Sequence, residues 1–159
     1  MVKISTRINI EINRTIRDIE LENKIPNLKP LVRLFSKIKF NGSEIPEDGL
    51  IDTGAHISVI PFYIWKKLNV DVVAEHKMSG AVPDKILPVN VGYVKGKFID
   101  EYGNESKEIR FLSYLTFTNK VPIILGIRDL LEKFDLCILF SQNKAYIEEN
   151  LDNINFAKT

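Results

Sequence analysis

Short apolar segments separated by turn signals are the feature that most restricts the fold of this chain. Residues 2–12 alternate strictly, with apolar side chains such as Ile8 and Ile10 on one face and polar ones such as Arg7 on the other. A period of two residues is typical of a half-buried strand. Similar patterns, bounded by turn residues, predict further strands at 31–40, 49–52, 58–60, 70–74, 89–94, 97–100, 109–117, 121–125, 135–140 and 145–148.

Helical signals are few. Because proline suits the first turn of a helix, Pro61 predicts a short helix over Phe62–Leu68, and a second is predicted over Ile127–Phe134. The segment Thr15–Glu22 is compatible with either a strand or a short helix. Many short strands with one or two short helices predict a mostly β fold, in which the sheet is closed or folded on itself.

The composition excludes several classes of protein. The chain has 159 residues, enough for one domain with a hydrophobic core. Its net charge of +1 does not indicate nucleic acid or an acidic membrane surface as a partner. We find no apolar run long enough to span a bilayer, and no apolar block after Lys3 and Arg7 that would indicate a signal peptide. Cys137 is the single cysteine, so no internal disulfide can form and a cytoplasmic location is expected.

The residues that bind metals in proteins are not clustered in this sequence. No set of Cys, His and carboxylate residues has metal-ligand spacing. We therefore expect neither a metal nor another cofactor.

The segment Gly49–Ala55 carries the candidate chemistry. Its apolar pair, Leu50 and Ile51, is typical of the end of a buried strand, and Thr53-Gly54 then predicts a tight turn. The carboxylate of Asp52 therefore lies on a turn with apolar chain on both sides, a setting that proton-transfer sites often have. For the tripeptide alone, an ordinary turn in which the aspartate accepts backbone N–H bonds is the alternative interpretation.

Two motifs, in the same order, resemble those of the retropepsin-like aspartic proteases, the single-domain relatives of pepsin. The first is the apolar-apolar-Asp-Thr-Gly-Ala pattern of Leu50–Ala55, followed by Ser58. The second lies in Ile123–Gly126, where Ile124 and Leu125 precede Gly126; in that family two apolar residues and a glycine open a short helix. The resemblance covers residues 31–148 and implies the closed β-barrel of the family.

The resemblance implies proteolysis by a pair of aspartates. Two carboxylates a few ångströms apart cannot both ionise, so they share one proton. The chain has a single Asp-Thr-Gly and is too short for the two-lobed pepsin form, so Asp52 must face Asp52 of the partner subunit across a two-fold axis. We expect a homodimer that hydrolyses extended peptides or proteins, and an inactive monomer.

The resemblance also assigns roles to the neighbours of Asp52. Thr53 is expected to bond to the partner's loop, Gly54 to allow close approach to the substrate, and Ser58 to tie the loop to the later helix. Plain turn and strand chemistry is the alternative for Thr53 and Ser58. Ala55 and His56 are expected to line the substrate, and an exposed histidine without a catalytic role is the alternative for His56.

Further substrate contacts are expected from two other segments. His76–Leu87 falls where the family has its flap, a mobile hairpin that closes over the substrate, and an ordinary surface hairpin is the alternative. The residues expected at the flap tip are Ser79, Gly80 and Ala81. Pro122 and Ile124 are expected either as apolar pocket walls or as simple core.

Arg128-Asp129 resembles the Gly-Arg-Asp motif of the family, but Ile127 intervenes and displaces it by one residue. Two interpretations of Arg128 are open. It either makes the ion pair that the family has beside its active-site loop or lies solvated at a helix end.

The sequence predicts three segments: an N-terminal extension at 1–28, a retropepsin-like domain at 29–149 and a C-terminal tail at 150–159. The extension is expected either to contribute to the dimer sheet or to be a pro-segment removed by self-cleavage. Two alternatives to a protease are open: a non-catalytic dimerisation or peptide-binding module of the same fold, and a monomeric β domain in which Asp52 is structural.

Overall fold

The computed structural model describes residues 7–80 and 84–149. Within these ranges there are ten strands and two short α-helices, so the prediction of a mostly β fold is confirmed. The strands are β1 Arg7–Ile16, β2 Leu31–Phe40, β3 Glu47–Ile51, β4 Ser58–Ile60, β5 Asp71–Ser79, β6 Ile86–Ile99, β7 Ile109–Thr116, β8 Ile124–Leu125, β9 Phe134–Leu139 and β10 Lys144–Glu149. The helices are α1 Ile19–Lys24 and α2 Phe62–Trp65, with 3₁₀ turns at Leu131–Lys133 and Phe140–Gln142.

Six of the described strands close into a ring, in the order β6, β7, β4, β8, β3 and β2. The ring closes because β2, its last strand, also pairs with β6, its first strand, with Ile38 opposite Phe98. Strands β1, β10 and β9 continue the sheet outward from β2. The predicted closure of the sheet is therefore confirmed, as a ring of strands.

One large hydrophobic core joins the ring to the outer strands. Its members include Phe40 and Phe98 from the ring, together with Ile8 of β1 and Ile147 of β10. Each fully buried side chain of this size contributes about 1.5–3 kcal/mol. Strand β1 therefore belongs to the same core as the strands of the 29–149 segment. Whether residues 1–28 are processed stays a prediction.

Local signals explain where the elements near the N-terminus begin and end. Thr15–Glu22 is divided between the two predicted alternatives, because β1 continues to Ile16 and α1 begins at Ile19. The Asp18 side chain caps this helix by accepting a hydrogen bond from the Leu21 N–H at 3.0 Å. The part of the predicted first strand at residues 2–6 lies outside the described residues.

Several boundaries differ from the predictions. The helix predicted over Ile127–Phe134 is wrong, because Asp129 has a left-handed backbone (φ 64°) that interrupts it and leaves only a 3₁₀ turn. Helix α2 is shorter than predicted and ends at Trp65. The strands predicted at 89–94 and 97–100 are one strand, β6, because Lys95 and Gly96 stay paired with β7. In the described part of the chain, none of the helices is long and apolar enough to cross a membrane.

Candidate functional site

The Asp52 loop joins β3 to β4, and the second motif lies between these two strands. Leu50 and Ile51 of β3 pair in parallel with Ile124 and Leu125 of β8. On the other side of β8, Val59 of β4 pairs with Ile124. The loop therefore crosses the end of β8. The topology brings together the two motifs, which are far apart in the sequence.

Three hydrogen bonds hold Asp52 in a tight turn. Its N–H donates to Leu125 O at 3.1 Å, and its carbonyl accepts from the Ala55 N–H at 3.2 Å. Its Oδ1 accepts from the Gly54 N–H at 2.8 Å, which is the side-chain turn that aspartate favours. Within the part of the chain that the structure describes, Oδ2 accepts no hydrogen bond. One carboxylate oxygen is thus fixed by the turn and the other keeps its acceptor capacity.

Gly126 holds the Asp52 loop in place through a buried hydrogen bond and close backbone contacts. Its N–H donates to Ser58 Oγ at 2.9 Å, and both residues are buried. A Cβ on Gly126 would lie 2.8 Å from Ala55 O and 2.9 Å from Ile57 C, distances that real side chains do not reach. Only glycine therefore fits where the loop crosses β8. Ser58 was expected to tie the loop to the later helix, and its bond reaches the backbone just before that segment.

Two further bonds extend this attachment along the chain. The Ile127 N–H donates to Ala55 O at 3.0 Å, and the Arg128 N–H donates to His56 O at 2.8 Å. The segment after Gly126 thus runs beside the segment after Gly54. The position of the loop is set by backbone bonds on both of its sides.

The upper edge of the loop lies at the surface. Thr53, Gly54 and His56 are exposed, whereas Asp52 and Ala55 are half-buried. The predicted pocket residues differ from each other, since Pro122 is exposed and Ile124 is half-buried. Ile124 lies beside the loop because it pairs directly with Leu50 of β3. Pro122, which lies just before β8, is open to solvent.

The segment predicted as a flap is a two-stranded hairpin of β5 and β6. Ser79 pairs with Ile86 at its outer end, and Gly80 follows with a positive φ of 94°. Ser79 and Gly80 are exposed, and Ala81 lies outside the described residues. Ile86 is 70% exposed, the most strongly exposed apolar side chain near the described end of this hairpin.

A second, smaller apolar cluster joins the hairpin to the strands that hold the loop. Met78 of β5 and Leu87 of β6 pack with Val59 and Ile124. The sequence analysis missed Val59, Met78 and Leu87 as neighbours of the site. Alternation of Ala74, His76 and Met78 on one face was the available signal, but the predicted strand ended too early to use it.

Arg128 lies solvated, as the second of the two interpretations expected, but in a turn and not at a helix end. Its side chain is exposed and makes no ion pair with a residue that the structure describes. Asp129 instead turns inward, and its Oδ2 accepts from the Leu112 N–H of β7 at 3.1 Å. Among the residues at 7–80 and 84–149, no group of three or more His, Cys, Asp or Glu is placed to hold a metal ion.

Comparison with known proteins finds a match in fold but none in sequence. The chain matches no protein-family model and no curated protein. Among solved structures it is similar to a retropepsin-like aspartic protease from Rickettsia conorii, with a TM-score of 0.54 and 16% sequence identity over 94% of this chain and 98% of that chain. The resemblance seen in the two motifs thus extends to the fold of most of the chain. The protein has the fold of the retropepsin-like aspartic proteases.

Proposed function

We propose that this protein is a homodimeric aspartic endopeptidase, in which Asp52 and Asp52 of the partner subunit activate a water molecule. The observation that carries the proposal is the hydrogen bonding of the two oxygens of the Asp52 carboxylate. The turn fixes Oδ1 through the Gly54 N–H and leaves Oδ2 without a donor among the described residues. A rigidly placed carboxylate with spare acceptor capacity is suited to proton transfer.

The chemistry requires two such carboxylates. Two like charges held close together share one proton, so one member is charged and the other neutral. The charged aspartate takes a proton from the bound water, whose oxygen attacks the scissile carbonyl carbon. The neutral aspartate donates its proton to the carbonyl oxygen. When the tetrahedral intermediate collapses, the aspartate that took the water proton passes it to the leaving nitrogen, the other aspartate takes back a proton from a hydroxyl of the intermediate, and the C–N bond breaks. The pair returns to its starting state, and no covalent enzyme intermediate forms.

A second subunit is needed because one chain supplies half of the pair. Thr53 and Gly54 lie exposed beside Asp52, where a symmetric partner can reach them. A two-fold interface places identical loops against each other. An obligate interface of this kind buries on the order of 2,000 Å² or more. Dimerisation would then cover part of the loop that is open in the single chain.

The substrate would be an extended peptide bound between the loop and the β5–β6 hairpin. Such a peptide binds by strand addition, with alternate side chains in pockets. Gly54, Ala55 and His56 would line it from below, and Ser79, Gly80 and Ala81 would cover it. Pro122 and Ile124 would form apolar walls. Met78 and Leu87, near the outer end of the hairpin, belong to the same apolar cluster as Ile124, which supports this placement of the hairpin beside the loop.

The test compares wild type with Asp52→Asn on a peptide library between about pH 4 and pH 7, a range suited to a shared-proton pair. Asp52→Asn keeps the size of the side chain and removes its charge, so we expect cleavage to fall by at least about 10²-fold. Asp48→Asn is the matched control. It lies exposed on β3, the strand that leads into the Asp52 loop, where its carboxylate pairs with Lys37 at 2.7 Å, and surface pairs contribute little.

The outcome that contradicts the proposal is equal cleavage by wild type and Asp52→Asn. Sedimentation supplies the second readout, since specific activity should rise with protein concentration through the monomer–dimer transition. Peptide binding by a stable dimer without any turnover would support the non-catalytic module instead. A strictly monomeric chain at every concentration, with and without peptide, would leave Asp52 a structural role.

A further inference from the structure

Two exposed residues with hydrogen-bond-donating side chains lie on adjacent backbone segments at one end of the Asp52 loop. His56 follows the turn that Asp52 opens, and Arg128 follows the second motif. The bond from the Arg128 N–H to His56 O, at 2.8 Å, holds their backbones side by side. Both side chains are exposed. The pair therefore has a fixed position relative to the candidate catalytic carboxylate.

The carboxylates nearest to Arg128 in the sequence do not neutralise it. Asp129 accepts from the Leu112 N–H through Oδ2 at 3.1 Å. Glu132 accepts from the Asp129 N–H through Oε2 at 3.0 Å. Each of them has one oxygen bonded to a backbone donor, and neither pairs with the Arg128 side chain. Arg110, by contrast, pairs with Asp71 at 2.8 Å. Because Arg128 makes no ion pair or side-chain hydrogen bond with a residue at 7–80 or 84–149, its guanidinium keeps its donors for an external ligand.

We propose that His56 and Arg128 form a subsite that selects an acidic side chain in the substrate, on one side of the scissile bond. This inference rests on the proposed function, because it uses the same loop as the floor of the peptide site. A guanidinium always carries its charge and presents a planar fork of donors that fits a carboxylate with two parallel bonds. The His56 imidazole contributes a further donor beside it.

The position of the subsite keeps the two acidic groups apart. The turn from Asp52 to Ala55 separates Asp52 from His56 in the chain, and the Arg128 N–H bonds to His56 O beyond that turn. A substrate carboxylate bound there avoids the negative charge of the aspartate pair. An acidic residue would be accepted a short distance from the scissile bond and rejected directly at it.

The experiment uses peptide pairs that differ only by Glu or Gln, placed in turn at each position on either side of the scissile bond. We expect wild type to prefer Glu over Gln at one position by about tenfold in kcat/KM, because charge-assisted hydrogen bonds are stronger than neutral ones. Arg128→Gln should reduce this ratio to about one, and His56→Gln should reduce it partly. Arg33→Gln is the control: it removes the same charge from an exposed position on β2 and should leave the ratio unchanged.

Binding measured with Asp52→Asn separates the two proposals. Fluorescence anisotropy of labelled Glu and Gln peptides reports the preference whether or not hydrolysis occurs. If wild type does not cleave but Asp52→Asn binds Glu peptides more tightly through Arg128, the subsite stands and the protease proposal fails. If cleavage occurs with no preference for Glu, or with a preference that Arg128→Gln leaves intact, the subsite proposal is overturned. Absence of both binding and cleavage overturns both.

Discussion

Two aspartates of this protein open turns of the same local geometry and differ in what surrounds them. In each turn, the backbone carbonyl of the aspartate accepts from the residue three positions on: Ala55 for Asp52 and Gly103 for Asp100. In each, Oδ1 accepts from the N–H two positions on, at 2.8 Å for Asp52 and 2.9 Å for Asp100. Sequence neighbours therefore shape both turns in the same way.

The two aspartates differ in the hydrogen bonds that they accept from residues outside their own turn. Asp100 Oδ2 accepts from both the N–H and the Nδ2 of Asn9 in β1, at 2.9 and 3.0 Å. Asn104 adds its own N–H and Nδ2, at 3.0 and 2.9 Å. Burial would raise the pKa of Asp100, but these bonds outweigh it and hold the pKa below its ordinary value. Asp100 is thus kept as an anion that fastens β1 to the turn after β6.

The comparison shows which property distinguishes a candidate catalytic carboxylate from a structural one. A saturated carboxylate is fixed in its charged form and has no lone pair left for a water molecule. Asp52 accepts one side-chain hydrogen bond within the described residues and retains capacity on Oδ2. Long-range donors, which the local motif does not reveal, therefore separate the two roles.

The largest stability effect is expected at Asp100. Asp100→Ala leaves the donors of Asn9, Tyr102 and Asn104 without their acceptor, so the free energy of unfolding should fall by about 3 kcal/mol. Urea denaturation measures this change. Glu101→Ala, at an exposed position of the same turn, is the control and should change stability by less than about 0.5 kcal/mol. Similar losses in the two variants would show that Asp100 is no more structural than its neighbour.

The pH dependence of the same site has a defined sign. Because folding lowers the pKa of Asp100, its stabilisation is present above the unfolded pKa and is lost as the pH falls through the folded value. The difference in unfolding free energy between wild type and Asp100→Asn should therefore be constant near neutrality and shrink below about pH 4. Urea titrations from pH 7 to about pH 3 measure it. A difference that grows on acidification would contradict the assignment.

The next largest effect is expected where the Asp52 loop crosses β8. Gly126→Ala would place a Cβ 2.8 Å from Ala55 O, and should lower stability by about 2 kcal/mol while displacing Asp52. Gly54→Ala is the matched comparison, because its Cβ would meet only Asp52 Oδ1, at 3.2 Å. We expect its stability cost to be less than half as large. Thermal unfolding of the two variants shows whether the position of the Asp52 loop depends more on its contact with Gly126 or on its own turn at Gly54.

The sequence predicted what depends on neighbouring residues. Strands Leu31–Phe40 and Ser58–Ile60 were placed correctly, because alternation and turn residues bound the first and the active-site motif and Pro61 bound the second. Contacts between distant segments gave no local signal. The pairing of Asn9 with Asp100 is one of these, and so is the packing of Met78 in one cluster with Ile124.

The smallest effect separates two serines that lie side by side behind the loop. Ser58 and Ser113 are aligned on β4 and β7, and both are fully buried. Ser58 Oγ accepts from the Gly126 N–H, whereas Ser113 Oγ has no partner among the described residues. Ser58→Ala leaves a buried N–H unpaired and should lower the unfolding free energy by about 1–2 kcal/mol. Ser113→Ala removes an unpaired hydroxyl, so we expect no loss and a gain of up to about 1 kcal/mol. Equal losses in the two variants would mean that the Ser113 hydroxyl is bonded in solution, as it would be to a buried water.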